Sequence, residues 1–189
     1  AQRDTGWVQL YVESAQEALD TVLQAYRIAE AASLPVMINL DAFYVSHALE
    51  PVRVPAQALV DAYLPAYLPE HLLDPERGES WGNVVTQDLY FRHRRAIGEA
   101  MARVPELAAK ADAEWRERTG RRWGILERYR CEGAELVVVT MGSMCGTARE
   151  AIDALREAGV AAGLLKLRLF RPLPAAELRA ALEGVRDVL

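Results

Sequence analysis

The order of apolar and polar positions divides the first forty residues into a strand, a helix and a strand. Residues 7–12 (WVQLYV) are rich in strand formers, and residues 35–40 (PVMINL) are a short apolar run typical of a buried strand. Between them Ser14 and Glu17 have the spacing of a capping box, and the apolar positions that follow predict a helix over about 15–31. A strand, a helix and a strand in this order predict a parallel sheet with a crossover helix.

A proline-rich segment follows this first unit. Five of the nine prolines fall within 51–75, which predicts neither a long helix nor a central strand. Because this stretch is also rich in Val, Leu and Tyr, we expect it to lie against a surface of the protein. Farther on, apolar residues at steps of three and four predict a long helix over about 89–119 that ends at Gly120. Pro105 lies inside that helix and predicts a kink or a restart near Val104.

The last third of the chain has the pattern of a second α/β unit. Residues 136–139 (LVVV) are apolar on both faces, as in a central parallel strand. A glycine turn at 141–143 leads to a helix that begins either at Ser143 or at Thr147. Leucines alternate with Lys166 and Arg168 over 165–169, which predicts a strand whose second face is partly polar.

The C-terminal residues predict one more helix and the start of one more strand. Pro174 and Gly184 suit the two ends of the helix, and 185–189 (VRDVL) have the pattern of a strand. A sheet of two strands is too small for the first unit, and the second unit stops at the start of a strand. We therefore expect both ends to be cut and the chain to be a segment of a longer protein.

Composition excludes several classes of function. The net charge of −5 argues against a general nucleic-acid binder, and no apolar run is long enough for a membrane-spanning helix. Cys131 and Cys145 are the two cysteines, too few for a disulfide framework, a structural zinc site or an iron–sulfur cluster. This usage predicts a protein of the reducing cytoplasm, without a nucleic-acid or membrane partner.

The turn at Gly142-Ser143 is the first candidate for chemistry. It joins a strand to a helix, where backbone amides can hold an anion, but it matches neither the dinucleotide nor the P-loop pattern. We therefore prefer a purely geometric role for this glycine.

Cys145 lies beside the turn, where a helix N-terminus can lower the pKa of a thiol. Since no base lies nearby in the sequence, we favour a small buried hydrophobic residue, and Cys131 offers still less chemistry.

The histidines and arginines are the remaining candidates. His47, His71 and His93 are too far apart in the sequence for metal-ligand spacing. Of the three, His47 is the best polar candidate, because it follows a strand at the edge where α/β proteins bind ligands. The basic clusters at 92–95 and 116–122 alternate with acidic residues, and a solvated helix face or a subunit contact is the favoured interpretation.

Four stretches in sequence order resemble the pyruvate:ferredoxin oxidoreductase family of thiamine-diphosphate-dependent 2-oxoacid:acceptor oxidoreductases. Residues 34–41 (LPVMINLD), with Phe43 and Ser46-His47, resemble the end of that family's first domain. Residues 88–91 (DLYF) and the following helix resemble its interdomain segment. The resemblance to the second domain, which has a transketolase C-terminal-like fold, is carried by two motifs, 139–143 (VTMGS) and 165–172 (LKLRLFRP).

The resemblance implies an α-subunit segment of an enzyme that oxidatively decarboxylates a 2-oxoacid, with pyruvate as the expected substrate. The acyl group would pass to coenzyme A and the electrons to ferredoxin. Thiamine diphosphate, Mg²⁺, iron–sulfur clusters and coenzyme A are implied for the parent complex, and none is expected to bind wholly within this segment. The implied partners are the β, γ and ferredoxin-like subunits or domains. The family's activating glutamate precedes the matched part, so no catalytic residue is assigned here.

The predicted fold class is α/β, in three parts. Residues 1–48 would be the C-terminal part of a first domain of the thiamine-diphosphate pyrimidine-binding type. Residues 49–133 would be the proline-rich crossing segment and the long kinked helix, and 134–189 a second α/β domain truncated at its C-terminal end. We expect a mainly structural, interface-forming segment that is inactive alone. The alternatives are a non-catalytic interaction module with the same second fold, or a small-anion or nucleotide-binding domain that uses the Gly142-Ser143 turn.

Overall fold

The computed structural model of the chain describes residues 2–69, 72–79, 81–82 and 84–189, and these residues contain seven strands and five helices. The elements in chain order are β1 (Val8–Tyr11), α1 (Ala15–Ala32), β2 (Val36–Asn39), α2 (Gln57–Tyr63), α3 (Gln87–Thr119), β3 (Leu126–Tyr129), β4 (Leu136–Thr140), α4 (Met144–Glu157), β5 (Ala162–Leu167), β6 (Leu169–Arg171), α5 (Ala175–Ala181) and β7 (Asp187–Val188).

The first sheet has the strand order β2-β1-β6. β1 and β2 are parallel, with Val8 opposite Val36, and α1 crosses between them, so the predicted strand–helix–strand unit is confirmed. Ser14 caps α1, because its Oγ accepts the backbone N–H of Glu17 at 3.2 Å. In a capping box the Glu17 carboxylate would accept the backbone N–H of Ser14. Here it accepts the backbone N–H of the preceding residue, Glu13, at 3.0 Å.

Helix α3 confirms the predicted long helix and continues through Pro105 without a restart. It ends as predicted at Gly120, whose left-handed backbone (φ 73°) would be strained for other residues. One face of α3 lies in the core of the first unit, where it packs against α1, β1 and β6. The buried members of this core are Val8, Leu10, Ile28, Ala32, Leu34, Val104, Ala108, Ala111 and Leu169.

The proline-rich segment contains the short helix α2 and is fastened to α3 at Tyr63. The Tyr63 side chain is fully buried, its hydroxyl donates to the backbone carbonyl of Ala111 at 3.0 Å, and its ring meets the edge of Trp115 with 5.0 Å between ring centroids. At Tyr63 the segment therefore lies against the protein as expected, since a free linker would leave so large an aromatic ring in water. The same expectation fails at Val54 and Leu68, which are exposed.

The second sheet has the strand order β3-β5-β4-β7. β4 is central and parallel to both β5 and β7, as its apolar sequence predicted, while β3 is antiparallel to β5. Ile152 of α4 packs with Ala162 and Leu164 of β5, and Ala181 of α5 packs with a separate group that includes Leu165 and Val137. The predicted α/β class is confirmed, with parallel pairing in both sheets.

Three details of the second unit differ from the sequence predictions. The single strand predicted over 165–169 is divided between the sheets, because β5 ends at Leu167 and β6 begins at Leu169. Its polar residues are buried rather than solvated, as described below. Of the two helix starts left open, the structure has the earlier one at Ser143, and α5 ends at Ala181, before Gly184.

Strand β6 also links the two ends of the chain. It lies antiparallel to β1, with Leu169 opposite Leu10, so the segment 134–189 contributes a strand to the sheet built from 1–48. The division of the chain at 48 and 133 stays a prediction.

None of the helices in the described part of the chain is long and apolar enough to cross a membrane.

Candidate functional site

The strongest candidate site lies where the carboxyl end of β2 meets the carboxyl end of β4. Asp41 follows β2, and Gly142 and Ser143 follow β4. The backbone N–H of Ser143 donates to Asp41 Oδ2 at 2.6 Å, and the Ser143 hydroxyl donates to the same oxygen at 2.8 Å. The carboxyl ends of parallel strands are the edge at which α/β proteins place ligands, so this junction is where a functional loop is expected.

Gly142 is required by this close approach. Its φ of 69° is in the left-handed region, and a Cβ on it would lie 3.2 Å from Asp41 Cγ and would overlap Oδ2. The turn therefore holds an internal carboxylate at the start of α4. Because Asp41 already uses both donors of Ser143, the structure gives no support to the anion-binding alternative, and the geometric role of Gly142 is the better interpretation.

The loop after Asp41 is ordered by its own side chains. Phe43 has a left-handed backbone (φ 65°), and its N–H donates to Ser46 Oγ at 3.2 Å. Ser46 Oγ lies 2.7 Å from His47 Nδ1, and the Phe43 and His47 rings stack with 4.7 Å between centroids. Both rings are exposed, so the loop presents an aromatic and imidazole pair to solvent.

The far end of this loop is fastened to the start of α1. Glu50 accepts the backbone N–H of Ala15 at 2.8 Å, one of the free amides of the helix N-terminus. Next to Ala15, the Gln16 side chain pairs with the backbone of Arg53, accepting its N–H at 2.6 Å and donating to its carbonyl at 3.3 Å. Residues 42–49 are therefore held between two carboxylates, each of which lies at a helix N-terminus.

A second polar cluster lies beneath α1, with three of its four residues buried and Glu13 half-buried. Lys166 Nζ donates to Glu17 Oε2 at 2.8 Å and lies 2.8 Å from Glu13 Oε2, and Arg168 Nε lies 3.0 Å from Glu17 Oε1. Lys166 is 2% exposed, Arg168 1% and Glu17 0%. Burial lowers the pKa of Lys166, but the carboxylates of Glu17 and Glu13 outweigh it and raise the pKa above its ordinary value. We refer to these four residues as the buried ion cluster.

Arg168 Nε and Glu17 Oε1 are in ion-pair contact without a hydrogen bond, whereas the two terminal nitrogens of the guanidinium form hydrogen bonds. They donate to Thr21 Oγ1 and Gln24 Oε1, both at 2.7 Å, and to the backbone carbonyl of Gly124 at 2.9 Å. Gln24 in turn donates to Asp112 of α3 at 3.2 Å. The cluster therefore ties α1, α3 and the β5–β6 junction together, and its chemistry is structural.

Two more buried carboxylates fix the segment after α3. Asp112 accepts the backbone N–H groups of Trp123 and Gly124, both at 2.9 Å. Asp20 accepts two hydrogen bonds from Arg121, at 2.7 and 2.9 Å, and one from the Trp123 indole at 3.0 Å. Arg121 belongs to the basic cluster at 116–122, so this member of the cluster has a structural role in an ion pair.

The two cysteines are free, buried thiols. Burial raises the pKa of Cys145 to about 12, although the residue lies at the start of α4. A thiol with so high a pKa is protonated at neutral pH, so the structure agrees with a small buried hydrophobic residue rather than an activated nucleophile. Cys131 donates from its Sγ to the carbonyl of Leu164 at 3.2 Å.

Among the described residues, neither His47 nor His93 belongs to a group of potential metal ligands. His47 is on the loop described above, His93 is exposed on α3, and His71 lies outside the described residues. Within the described ranges, no group of three or more His, Cys, Asp or Glu residues could hold a metal ion. In the other basic cluster, Arg94 donates to the backbone carbonyls of Asp4 and Thr5, both at 3.2 Å, so it fastens the N-terminal residues to α3.

Comparison with known proteins places this architecture in a family. Residues 1–113 match the family model described as "Pyruvate flavodoxin/ferredoxin oxidoreductase, thiamine diP-bdg". Residues 134–189 match "Pyruvate:ferredoxin oxidoreductase core domain II". The chain belongs to the pyruvate:ferredoxin oxidoreductase family. The resemblance inferred from the sequence motifs is confirmed.

Curated relatives cover the whole chain. It is 46% identical over 190 residues to pyruvate synthase subunit PorA of Methanothermobacter thermautotrophicus, which covers 100% of this chain and 50% of the relative. Identity to ketoisovalerate oxidoreductase subunit VorA of Pyrococcus horikoshii is 39% over 190 residues, 100% of this chain and 48% of the relative. The chain thus spans about half the length of the curated relatives it matches.

A solved structure shares the fold. It is a 2-oxoglutarate:ferredoxin oxidoreductase from Magnetococcus marinus with 2-oxoglutarate, coenzyme A and succinyl-CoA bound. The match has a TM-score of 0.63 at 17% sequence identity and covers 96% of this chain and 34% of that one. At this identity the likeness shows the fold alone.

Sequence reasoning missed the buried ion cluster and the partner of Ser143. Lys166 and Arg168 were interpreted as a partly polar strand face, although two cations within an otherwise apolar strand are a signal for buried carboxylate partners. The partner of Ser143 is Asp41, more than a hundred positions earlier, and no local pattern connects the two.

Proposed function

We propose that this chain is part of the α subunit of a 2-oxoacid:ferredoxin oxidoreductase. The enzyme would oxidatively decarboxylate a 2-oxoacid, with pyruvate as the first candidate, transfer the acyl group to coenzyme A and pass the electrons to ferredoxin. The observation that carries the proposal is the 46% identity to a pyruvate synthase subunit over the whole chain. The branched-chain relative, at 39%, makes 2-oxoisovalerate the second substrate to test.

Within that enzyme we assign this chain a structural and interface-forming role. The buried ion cluster fixes α1 against the β5–β6 junction, and every charge in it has a partner. Most of the exposed large apolar side chains of the described residues lie between positions 40 and 91. Apolar surface concentrated in this way supports contacts with other subunits. The proposed partners are the β, γ and ferredoxin-like subunits or domains, with ferredoxin as electron acceptor.

The described residues do not fit the activation of thiamine diphosphate. That chemistry needs a carboxylate free to face an aminopyrimidine nitrogen, and the fully buried carboxylates here are Glu17, Asp20 and Asp112. Each of them already accepts hydrogen bonds from or pairs with residues of this chain. We therefore propose that thiamine diphosphate and its Mg²⁺, as well as coenzyme A and the iron–sulfur clusters, are held mainly by other parts of the enzyme.

The two free thiols support a reducing compartment, and the proposed location is the cytoplasm.

The test of the proposed function uses the full-length α chain co-expressed with the subunits encoded beside it. Purified under anaerobic conditions, the complex is assayed for reduction of ferredoxin that depends on a 2-oxoacid, coenzyme A and thiamine diphosphate. Pyruvate, 2-oxoisovalerate and 2-oxoglutarate are compared by kcat/KM.

We expect activity with at least one 2-oxoacid and a strict requirement for coenzyme A. A correctly assembled complex that reduces ferredoxin with none of the three acids would refute the proposal and favour a non-catalytic interaction module. The 189 residues alone are assayed in parallel and are expected to be inactive. Pyruvate oxidation by this segment alone would contradict the structural role assigned to it.

A further inference from the structure

The loop between Asp41 and Glu50 has a polar group whose function the buried clusters do not explain. His47 is exposed, and its Nδ1 lies 2.7 Å from Ser46 Oγ. Its other ring nitrogen, Nε2, has no hydrogen-bond or ion-pair partner among the residues that the structure describes. The imidazole is therefore oriented at one nitrogen and open at the other.

The contact with Ser46 couples the tautomer of the neutral imidazole to the direction in which the Ser46 hydroxyl donates. Ser46 Oγ accepts the N–H of Phe43 at 3.2 Å, which leaves its hydroxyl proton available to His47 Nδ1. When the Ser46 hydroxyl donates to His47 Nδ1, Nε2 has the proton and is a hydrogen-bond donor. The stacked Phe43 ring restricts rotation of the imidazole out of this orientation.

The backbone around this pair is held as firmly as the side chains. Asp41 is bound to the turn before α4, and Glu50 is bound to the start of α1. Phe43 keeps a left-handed backbone, which costs free energy in a residue other than glycine and persists only where surrounding contacts enforce it. A binding group held on rigid elements in this way loses little entropy when it engages a ligand.

We propose that His47 is a ligand-contacting residue whose Nε2–H donates to an anionic oxygen, and that Ser46 is its positioning residue. This inference rests on the proposed function, which supplies two sources of such an oxygen. One is the carboxylate of the 2-oxoacid and the other is a phosphate of coenzyme A. The place of the loop, at the carboxyl ends of β2 and β4, is the edge where such ligands bind in α/β proteins.

The test uses the assembled enzyme and two substitutions at one position. His47→Leu removes the donor, while His47→Gln keeps an N–H donor. The matched control is His93→Leu, because His93 is an exposed histidine on α3, outside the loop. The KM for the 2-oxoacid and the KM for coenzyme A are measured separately, and the assembled state is checked by size-exclusion chromatography.

His47→Leu is expected to raise one of the two KM values by about tenfold or more, the loss for a hydrogen bond to a charged group. A rise for the 2-oxoacid identifies the carboxylate, and a rise for coenzyme A identifies a phosphate. His47→Gln is expected to stay within about threefold of wild type, and Ser46→Ala to raise the same KM as His47→Leu by a smaller factor.

Several results would overturn the proposal. One is that both KM values of His47→Leu lie as close to wild type as those of His93→Leu. A second is that His47→Gln is as defective as His47→Leu, because the donor would then be irrelevant. A third is a loss of assembly with normal KM values in the assembled fraction, which would make His47 a subunit contact. If the wild-type complex itself oxidises no 2-oxoacid, the proposed function fails first and this inference fails with it.

Discussion

Replacing Arg168 with methionine tests whether the buried ion cluster holds the two sheets together. Arg168 is 1% exposed and lies at the point where the chain passes from β5 to β6. Methionine is unbranched, of similar volume and uncharged, so the change removes the hydrogen bonds while it keeps most of the buried volume. After the change, the acceptors on Thr21, Gln24 and Gly124 have lost their donor, and Glu17 has lost one of its two cations.

The expected loss is about 4 kcal/mol in the free energy of unfolding. Breaking one side of a buried ion pair costs roughly 3–5 kcal/mol, because the remaining charge and polar groups stay buried without compensation. Part of this lost free energy is recovered, because the variant has no guanidinium group that must be transferred from water into the core on folding. The loss is a large fraction of the 5–15 kcal/mol that is typical for a folded domain.

Urea unfolding followed by tryptophan fluorescence measures the effect. With a slope of about 2 kcal/mol per M, the midpoint should fall by about 2 M. The control is Arg95→Met, since Arg95 forms an exposed pair with Glu99 one helical turn away and should cost less than about 1 kcal/mol. The structural reasoning is refuted if Arg168→Met lowers stability no more than the control does.

Three further predictions concern single side chains. Gly142→Ala should cost about 2–4 kcal/mol by urea unfolding, against about 1 kcal/mol for Gly184→Ala, because both have a positive φ but only Gly142 faces a carboxylate. Burial raises the pKa of Cys145 to about 12, so the folded chain should react slowly with a thiol reagent at pH 8. We expect its labelling rate to be at least about 100-fold lower in the folded chain than in urea. The rates are measured in a variant that lacks Cys131. Burial raises the pKa of Glu13, but hydrogen bonds from cationic neighbours outweigh it and lower the pKa below its ordinary 4.5. The stability from Glu13 is therefore present above pH 4.5 and lost as the pH falls through the lowered pKa. Glu13→Gln should therefore flatten the acid limb of the stability curve.

Each of these predictions has an opposite outcome that would contradict it. Equal costs for the two glycine substitutions would mean that the carboxylate moves aside freely. Rapid labelling of the folded thiol at pH 8 would place Cys145 in an open or activated environment. An acid limb that is unchanged in Glu13→Gln would show that the hydrogen bonds from its cationic neighbours do not lower its pKa in solution.

The sequence predicted the elements whose cause is local. The helix α1 follows from Ser14 as its cap and from apolar residues at helical spacing, and both signals lie within one stretch of chain. The apolar run of β4 predicted a central parallel strand, because a strand covered on both faces has no polar side. The motif at 34–41, with the later motifs in order, was also enough to identify the family.

The sequence did not predict the features whose cause is distant. That Lys166 and Arg168 are buried depends on carboxylates about 150 positions away on α1, and strand periodicity has no information about that pairing. The division of 165–169 into two strands likewise depends on β1 as the partner of β6. His47 was identified as a candidate by its position after a strand, but its orientation depends on contacts with Phe43 and Ser46 that only the folded loop provides.

Local patterns therefore predicted the described helices other than α2, most of the strands and the family of this protein. The tertiary structure alone decided how its charges are used: Asp41 at the turn before α4, Glu17 between two cations, and a histidine with one open nitrogen. The physical reason is that helix and strand preferences depend on neighbours in sequence, whereas the free energy of a buried charge depends on which partners the fold brings within hydrogen-bond distance.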